Sequence, residues 1–167
     1  MRLRQPKMPD EIRFTVYGHA VPKKRARVVG LKRGKKKDSD EEIKPHAFTP
    51  NETVEWESSI YGQSLASKPP RPWDGAVALG FVIYRRVPKS KPKWFKEAAM
   101  NGDIYPVSAR DDVDNFLKSL KDALNGIYWL DDGQVVMYIP IDGKYPGKYY
   151  SDVPRIEILV RFLRTGS

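Results

Sequence analysis

From Glu11 to Tyr17 apolar and polar positions alternate, with Ile12, Phe14 and Val16 on one side and Arg13, Thr15 and Tyr17 on the other. A period of two predicts a β-strand with one buried face. The segment from Gly75 to Arg86, with Val77, Leu79, Phe81, Ile83 and Tyr84, predicts a longer strand. Two more strands are expected from Gln134 to about Ile141 and from Arg155 to Leu163. Between them the period changes. Thr49-Pro50-Asn51-Glu52 opens a helix to about Ala66, carrying an imperfect stripe of Val54, Ile60, Tyr61 and Leu65. Pro88 to Lys93 is a basic, proline-punctuated linker into a short helix near Trp94 to Met100. Val113, Phe116, Leu117, Leu120 and Leu124 fall at i, i+3, i+4, i+7 and i+11, one apolar stripe of an amphipathic helix. Asp111 is its candidate N-cap, with Asp114 a weak capping-box partner, and Asn125-Gly126 is its stop signal. No internal repeat and no second-domain boundary is visible. The expectation is one compact α+β domain over residues 1–167, a mixed sheet with packed helices, and a basic flexible loop at about 22–43.

Charge narrows the functional classes. The chain carries a formal +9 with a pI near 9.6, which suits nucleic acid or an anionic membrane surface. It has no run of about 18 apolar residues, so no transmembrane helix is expected. Met1 to Lys7 is basic but lacks the apolar centre of a signal peptide, so the protein is expected in the cytoplasm. The absence of cysteine excludes disulfides and thiolate metal sites. His19 and His46 are too few for an ordinary catalytic zinc site, and each reads better as a loop residue than as a ligand.

The positive charge is concentrated. Nine of the fifteen residues from Lys23 to Lys37 are Lys or Arg, and the acidic run Asp38-Ser39-Asp40-Glu41-Glu42 follows. Such a tract is either a solvated loop or a segment that orders on a phosphate backbone. The stretch Lys144-Tyr145-Pro146-Gly147-Lys148-Tyr149-Tyr150 interleaves cations with aromatics, which suits contact with phosphates and base faces. A proline-glycine turn with tyrosines packed at a sheet edge or subunit contact weighs slightly more for this stretch. Trp56, Trp73, Trp94 and Trp129 are read as core or interface packing.

Against this basic background stands the acidic run Asp111-Asp112-Val113-Asp114, with Lys118 one turn later and Asp131-Asp132 beyond the helix. Carboxylates are ligands for hard divalent cations such as Mg²⁺ and Mn²⁺. On the helix, Asp114, Lys118 and Asp122 lie at i, i+4 and i+8, so Lys118 can reach the volume near Asp114. Acidic residues also favour any helix N-terminus, and that plainer reading is preferred for Asp111. For Asp112 and Asp114 together, metal ligation is preferred. Asp-Gly is ordinary turn chemistry, so for Asp131 and Asp132 both readings stay open from the residues alone. A basic protein with such a cluster suggests an enzyme that binds nucleic acid and cuts it with a metal-activated water.

The order Asp112-Val113-Asp114-Asn115-Phe116-Leu117-Lys118, then Asp122-Ala123-Leu124, then Asp131-Asp132-Gly133-Gln134-Val135, resembles the RusA family of Holliday junction resolvases. Gly18 to Arg27 is similar to that family's basic segment after the first strand, and Pro154 to Ile158 to its last strand. The lysine-rich stretch near residues 32 to 37 departs from the pattern. The resemblance implies a Mg²⁺-dependent endodeoxyribonuclease (Mn²⁺ as substitute) with no small-molecule cofactor. It implies a homodimer that makes paired nicks in four-way DNA junctions, at work on nucleoid-associated DNA. On this reading Asp112, Asp114, Lys118 and Asp132 are catalytic, and Asp112, Asp114, Asp131 and Asp132 hold metal. Lys23, Lys24, Arg25, Arg27, Lys144 and Lys148 would bind the DNA arms. Asn115 would orient a ligand or cap the helix, and Asp122 would support Lys118 or the structure. The rival readings are a non-catalytic nucleic-acid-binding module and a metal-dependent nuclease for other branched or single-stranded DNA.

Overall fold

The strand β4, Val77–Arg86, organises the molecule, and it is buried along nearly its whole length. A strand covered on both faces reads as a continuous apolar run rather than an alternation. In the computed structural model, which describes residues 6–24, 27–28, 47–48 and 50–164, β4 is the central strand of a five-stranded sheet. The other strands are β1 (Glu11–Tyr17), β5 (Val135–Tyr138), β6 (Gly147–Ser151) and β7 (Arg155–Phe162). The order is β1-β7-β4-β5, and β6 also pairs with β4. β7 runs antiparallel to β1 and β4, whereas β5 and β6 run parallel to β4, so the sheet is mixed. The short pair β2 (Arg27–Val28) and β3 (Ala47–Phe48) forms a separate two-stranded ladder. The rest of the expected basic loop, Arg25 included, lies outside the described residues, as does the side chain of Arg27.

The period of two sorts the sheet residues. Val77, Leu79, Phe81 and Ile83 join Phe14, Val16, Ile156, Ile158 and Val160 in the main core. Two helices cover that face: α1 (Asn51–Ser64) and α3 (Val113–Leu124). Val82 and Tyr84 point the other way, into a smaller cluster with Ile141 and Leu159. Gly80 lies on that second face, where a Cβ would stand 2.9 Å from the Ile139 carbonyl oxygen. Only glycine lets that segment cross so closely. The third helix, α2 (Lys93–Asn101), packs against β6 and ends at Gly102, whose φ of 86° is the left-handed cap that glycine adopts without strain. The α+β class, β1 and the α3 stripe agree with the sequence reading.

Four expectations need correction. The α1 stripe is not Val54, Tyr61 and Leu65, which are exposed; the helix buries Thr53, Trp56, Ile60 and Ser64. Small hydroxyl side chains let α1 sit close, and Ser64 satisfies its own hydroxyl on the Tyr61 carbonyl at 2.7 Å. The strand after Asp131-Asp132 ends at Tyr138 rather than near Ile141. The segment read as a loop around Lys148 is instead the strand β6, registered against Val82–Arg86 of β4. Finally, the N-cap of α3 is Asp112, not Asp111, and no side chain caps the helix.

Candidate active site

The Asp111 carboxylate is occupied elsewhere. It accepts from Arg85 Nη2 at 2.8 Å, while Arg85 Nη1 donates to the Ala20 carbonyl at 2.6 Å. The same guanidinium lies 5.4 Å from the centroid of the Phe116 ring. The Asp111 carbonyl accepts from Lys148 Nζ at 2.7 Å. A half-buried ion pair from β4 and a lysine from β6 therefore fix the residue immediately before the N-cap of α3. The backbone N–H of Lys23 adds a third tie, donating to the Asn115 carbonyl at 2.9 Å. The first turn of α3 is thus held from three sides.

Other charges nearby are also committed. Lys23 pairs with Asp122 and, at 3.5 Å, with Glu57. The bond to Asp122 raises the Lys23 pKa, and burial raises that of Glu57. Lys24 pairs with Glu52 at 2.6 Å. Lys144 donates to the Tyr84 hydroxyl at 2.7 Å and lies over the Tyr84 and Tyr149 rings. Asp122 thus serves Lys23 rather than Lys118. Of the residues expected on DNA, Lys23, Lys24, Lys144 and Lys148 each hold a protein partner.

By contrast, Asp112, Asp114 and Lys118 make no side-chain hydrogen bond or ion pair among the described residues. Asp112 leaves its own helix uncapped, and Asp114 and Lys118 do not form the i,i+4 pair their spacing permits. The N-terminal part of α3 and its N-cap therefore present two carboxylates and an ammonium with no partner among the described residues.

The second acidic pair is divided in its work. Asp131 Oδ1 accepts from the Gly133 N–H at 2.8 Å and, with Gln134, forms a capping box on the short 3₁₀ turn Asp132–Gln134. Gln134 also donates to the Trp73 and Gly75 carbonyls, both at 2.8 Å, which pins the turn to the segment leading into β4. Asp132 Oδ1 accepts from Trp129 Nε1 at 3.0 Å, and Trp129 is wholly buried. Asp132 is thereby aimed by a core residue while its other oxygen has no hydrogen-bond partner among the described residues. Trp129→Phe should cost about 2 kcal/mol in urea unfolding, by losing the charged hydrogen bond and leaving a cavity. On the nuclease reading of the sequence, its DNA cleavage should fall several-fold as Asp132 loosens; cleavage at the wild-type rate would remove Asp132 from the site.

Tyr138 feels the charge of one acid from each group. Its phenol is pushed toward a higher pKa first by burial, then by the negative charges of Asp114 and Asp132, so it remains a hydroxyl donor. It is half exposed at 49% and meets Phe81 edge-on, with ring centroids 6.1 Å apart. Asp114 from α3 and Asp132 from the 3₁₀ turn thus bear on one tyrosine at the end of β5. Sequence reasoning misses both Tyr138 as a site residue and Arg85 as a support. Tyr138 carries a faint signal, an aromatic shortly after Asp-Asp-Gly-Gln, whereas Arg85 is indistinguishable in sequence from any strand-end arginine.

No three metal-ligating side chains converge among the described residues. Two carboxylates 4 Å apart repel by about 4 kcal/mol at an effective dielectric of 20, so closer approach requires a cation between them. The donor set fits a hard divalent ion in kind: all oxygen, uncommitted at Asp112 and Asp114, and half-committed at Asp132. Asp131 is the weakest candidate, because the capping box already uses its carboxylate.

The family model described as Endodeoxyribonuclease RusA matches residues 18–161. The chain is also similar to the uncharacterized protein YqaN of Bacillus subtilis (strain 168), with 33% identity over 154 residues, covering 91% of this chain and 96% of that protein. No helix among the described residues is long and apolar enough to cross a membrane.

Proposed function

This chain belongs to the RusA endodeoxyribonuclease family, and from that premise we propose that it is a Mg²⁺-dependent homodimer that cuts four-way DNA junctions by paired symmetric nicks. Family membership carries endodeoxyribonuclease action on branched DNA. The metal, the paired cuts and the dimer are our reading. The observation that supports it most is the trio Asp112, Asp114 and Lys118, unpaired among the described residues, at a helix start whose neighbouring charges Asp111 and Asp122 are both engaged. A purely structural acidic helix start would be expected to pair or cap with what lies in reach.

Asp112, Asp114 and Asp132 would hold the divalent ion, with Asp131 contributing chiefly through the shape of its turn. Such an ion, when bound, supplies an activated water and neutralises charge at the reacting phosphate. The remaining work falls to this chain's own groups. Lys118 Nζ, without a carboxylate partner among the described residues, would bind a non-bridging oxygen of the scissile phosphate and stabilise charge that grows on it. The Tyr138 hydroxyl, kept protonated, would donate to the same phosphate from β5. A four-way junction has approximate two-fold symmetry, and a symmetric dimer offers two equivalent sites. The lysines Lys23, Lys24, Lys144 and Lys148 would reach DNA only by exchanging their present partners for phosphates.

The test is cleavage of a labelled synthetic four-way junction beside linear duplex of the same sequence. Mg²⁺ or Mn²⁺ should support junction cleavage, and EDTA should abolish it. Full activity in EDTA would remove the metal from the mechanism, and equal cutting of linear duplex would remove the junction. Gel filtration with light scattering should give a dimer. A stable monomer that still makes both nicks in one binding event would contradict the paired-site reading.

A further inference from the structure

The strongest unassigned feature is the surface of α2 and the linker that precedes it. Between Arg86 and Glu97 there are five cations and one acid. Arg86, Lys89, Lys91, Lys93 and Lys96 are all exposed, and the single acid, Glu97, faces Lys93 at 3.7 Å. Arg86, Lys89 and Lys96 line one concavity together with Val87, Met100 and Asp152, so cations outnumber the carboxylate there. Lys91 lies over the Phe95 ring, 4.7 Å from its centroid. Beside it Trp94 is 65% exposed, its only ring partner among the described residues being Phe95 at 5.8 Å. Trp94, expected in the core or at an interface, is not in the core and stands exposed within a lysine cluster. An apolar ring of that size left open among cations is suited to a nucleobase face.

Its position supports the same role. β6 carries Lys148 and Tyr150 on one face, about 7 Å apart as alternate strand residues are. Lys148 holds the Asp111 carbonyl, and Tyr150 meets Phe95 of α2 at 6.0 Å between centroids. One strand face thus anchors both the entrance of the acidic helix and the cationic helix.

We infer that α2 is a second DNA-binding surface, in which Lys89, Lys93, Lys96 and Arg86 contact phosphates of the arm next to the cut and Trp94 stacks on a base unstacked at the branch point. This inference rests on the reading of the chain as a junction-cutting nuclease. The acids would otherwise repel the backbone, and a flanking cationic surface offsets that repulsion without occupying the metal site. It also accounts for where affinity comes from when Lys23, Lys24, Lys144 and Lys148 are engaged within the protein.

The experiment measures anisotropy of a labelled four-way junction and of matched linear duplex, with Ca²⁺ replacing Mg²⁺, across a salt series. Lys89→Gln/Lys93→Gln/Lys96→Gln should flatten the slope of log K against log salt by roughly 2.5 on both DNAs, close to one counterion unit per contact. Trp94→Ala should weaken junction binding about tenfold and linear duplex much less. The four side chains are exposed, so thermal melts should match wild type. An unchanged slope in the triple variant, with wild-type protein binding and cutting under matched conditions, overturns the α2 inference alone. If Trp94→Ala turns a dimer into a monomer without changing binding per site, the surface is a self-contact and the inference falls. Wild-type protein that neither binds nor cuts DNA overturns the nuclease reading and the inference with it.

Discussion

Asp114→Asn should lose at least about 10²–10³-fold of junction cleavage while binding junctions as well as wild type or better. The two effects have opposite signs for one reason. The change removes a negative charge that faces the phosphates, which eases binding, and removes a proposed metal ligand, which disables the chemistry. Asp112→Asn and Asp132→Asn should behave alike, and Lys118→Ala should also cut poorly because it deletes the cation placed for the transition state. Asp131→Asn should lose less, since an amide oxygen can still accept from the Gly133 N–H and preserve much of the turn. If these acids only favoured a helix N-terminus, Asp114→Asn would change stability by about 0.3–1 kcal/mol and leave cleavage alone. A near-wild-type rate in single-turnover cleavage by Asp114→Asn would establish that plainer role and sink the ligand assignment.

The unequal legibility of the chain follows from what each residue type encodes. β1 and α3 are readable because Phe14 and Val16, and Phe116, Leu120 and Leu124, are large buried side chains at a clean period, even though α3 also buries Ser119 and Ala123. α1 misleads because its buried stripe uses Thr53 and Ser64 beside Trp56 and Ile60, and hydropathy gives small hydroxyls no weight. β6 is hidden by Pro146-Gly147 and by lysine among the tyrosines, and its strand nature comes from a parallel neighbour distant in sequence. The site shows the same division. Asp112, Asp114 and Lys118 lie within two turns of one helix start, so their spacing is legible directly. That the charges of Asp114 and Asp132 both raise the pKa of Tyr138 depends on tertiary packing that spacing along the chain does not reveal. Nor does composition reveal which cations are already spent: Lys23, Lys24, Lys144 and Lys148 are engaged, whereas Arg86, Lys89 and Lys96 near Trp94 have no ion pair among the described residues. The N-cap assignment to Asp111 fails for a related reason. Arg85, 26 residues earlier in the chain, claims that carboxylate.

Arg85→Met should therefore impair catalysis from outside the reacting groups. The guanidinium bridges the loop after β1, the residue before the N-cap of α3 and the Phe116 ring. Its loss leaves the half-buried Asp111 carboxylate unpaired and the Ala20 carbonyl without its donor. The cost in unfolding should be about 2 kcal/mol, below the range for fully buried pairs because both partners retain some exposure. The larger effect should be on rate. With one of its three ties gone, the first turn of α3 can shift, and a displacement of about 1 Å at reacting groups costs on the order of 10²-fold. Cleavage at saturating protein should fall roughly 10- to 100-fold, while the junction Kd stays within about threefold, since Arg85 makes no proposed DNA contact. Arg85→Lys should rescue little, because one ammonium cannot reproduce a planar fork that reaches Ala20 and Asp111 on separate nitrogens. Arg85→Met/Asp111→Leu should recover stability relative to Arg85→Met, by removing the orphaned charge, yet recover less of the rate, because the tie itself is still missing. A merely structural arginine would instead return rate and stability together in the double variant, and that outcome would end the case for Arg85 as a positioning residue.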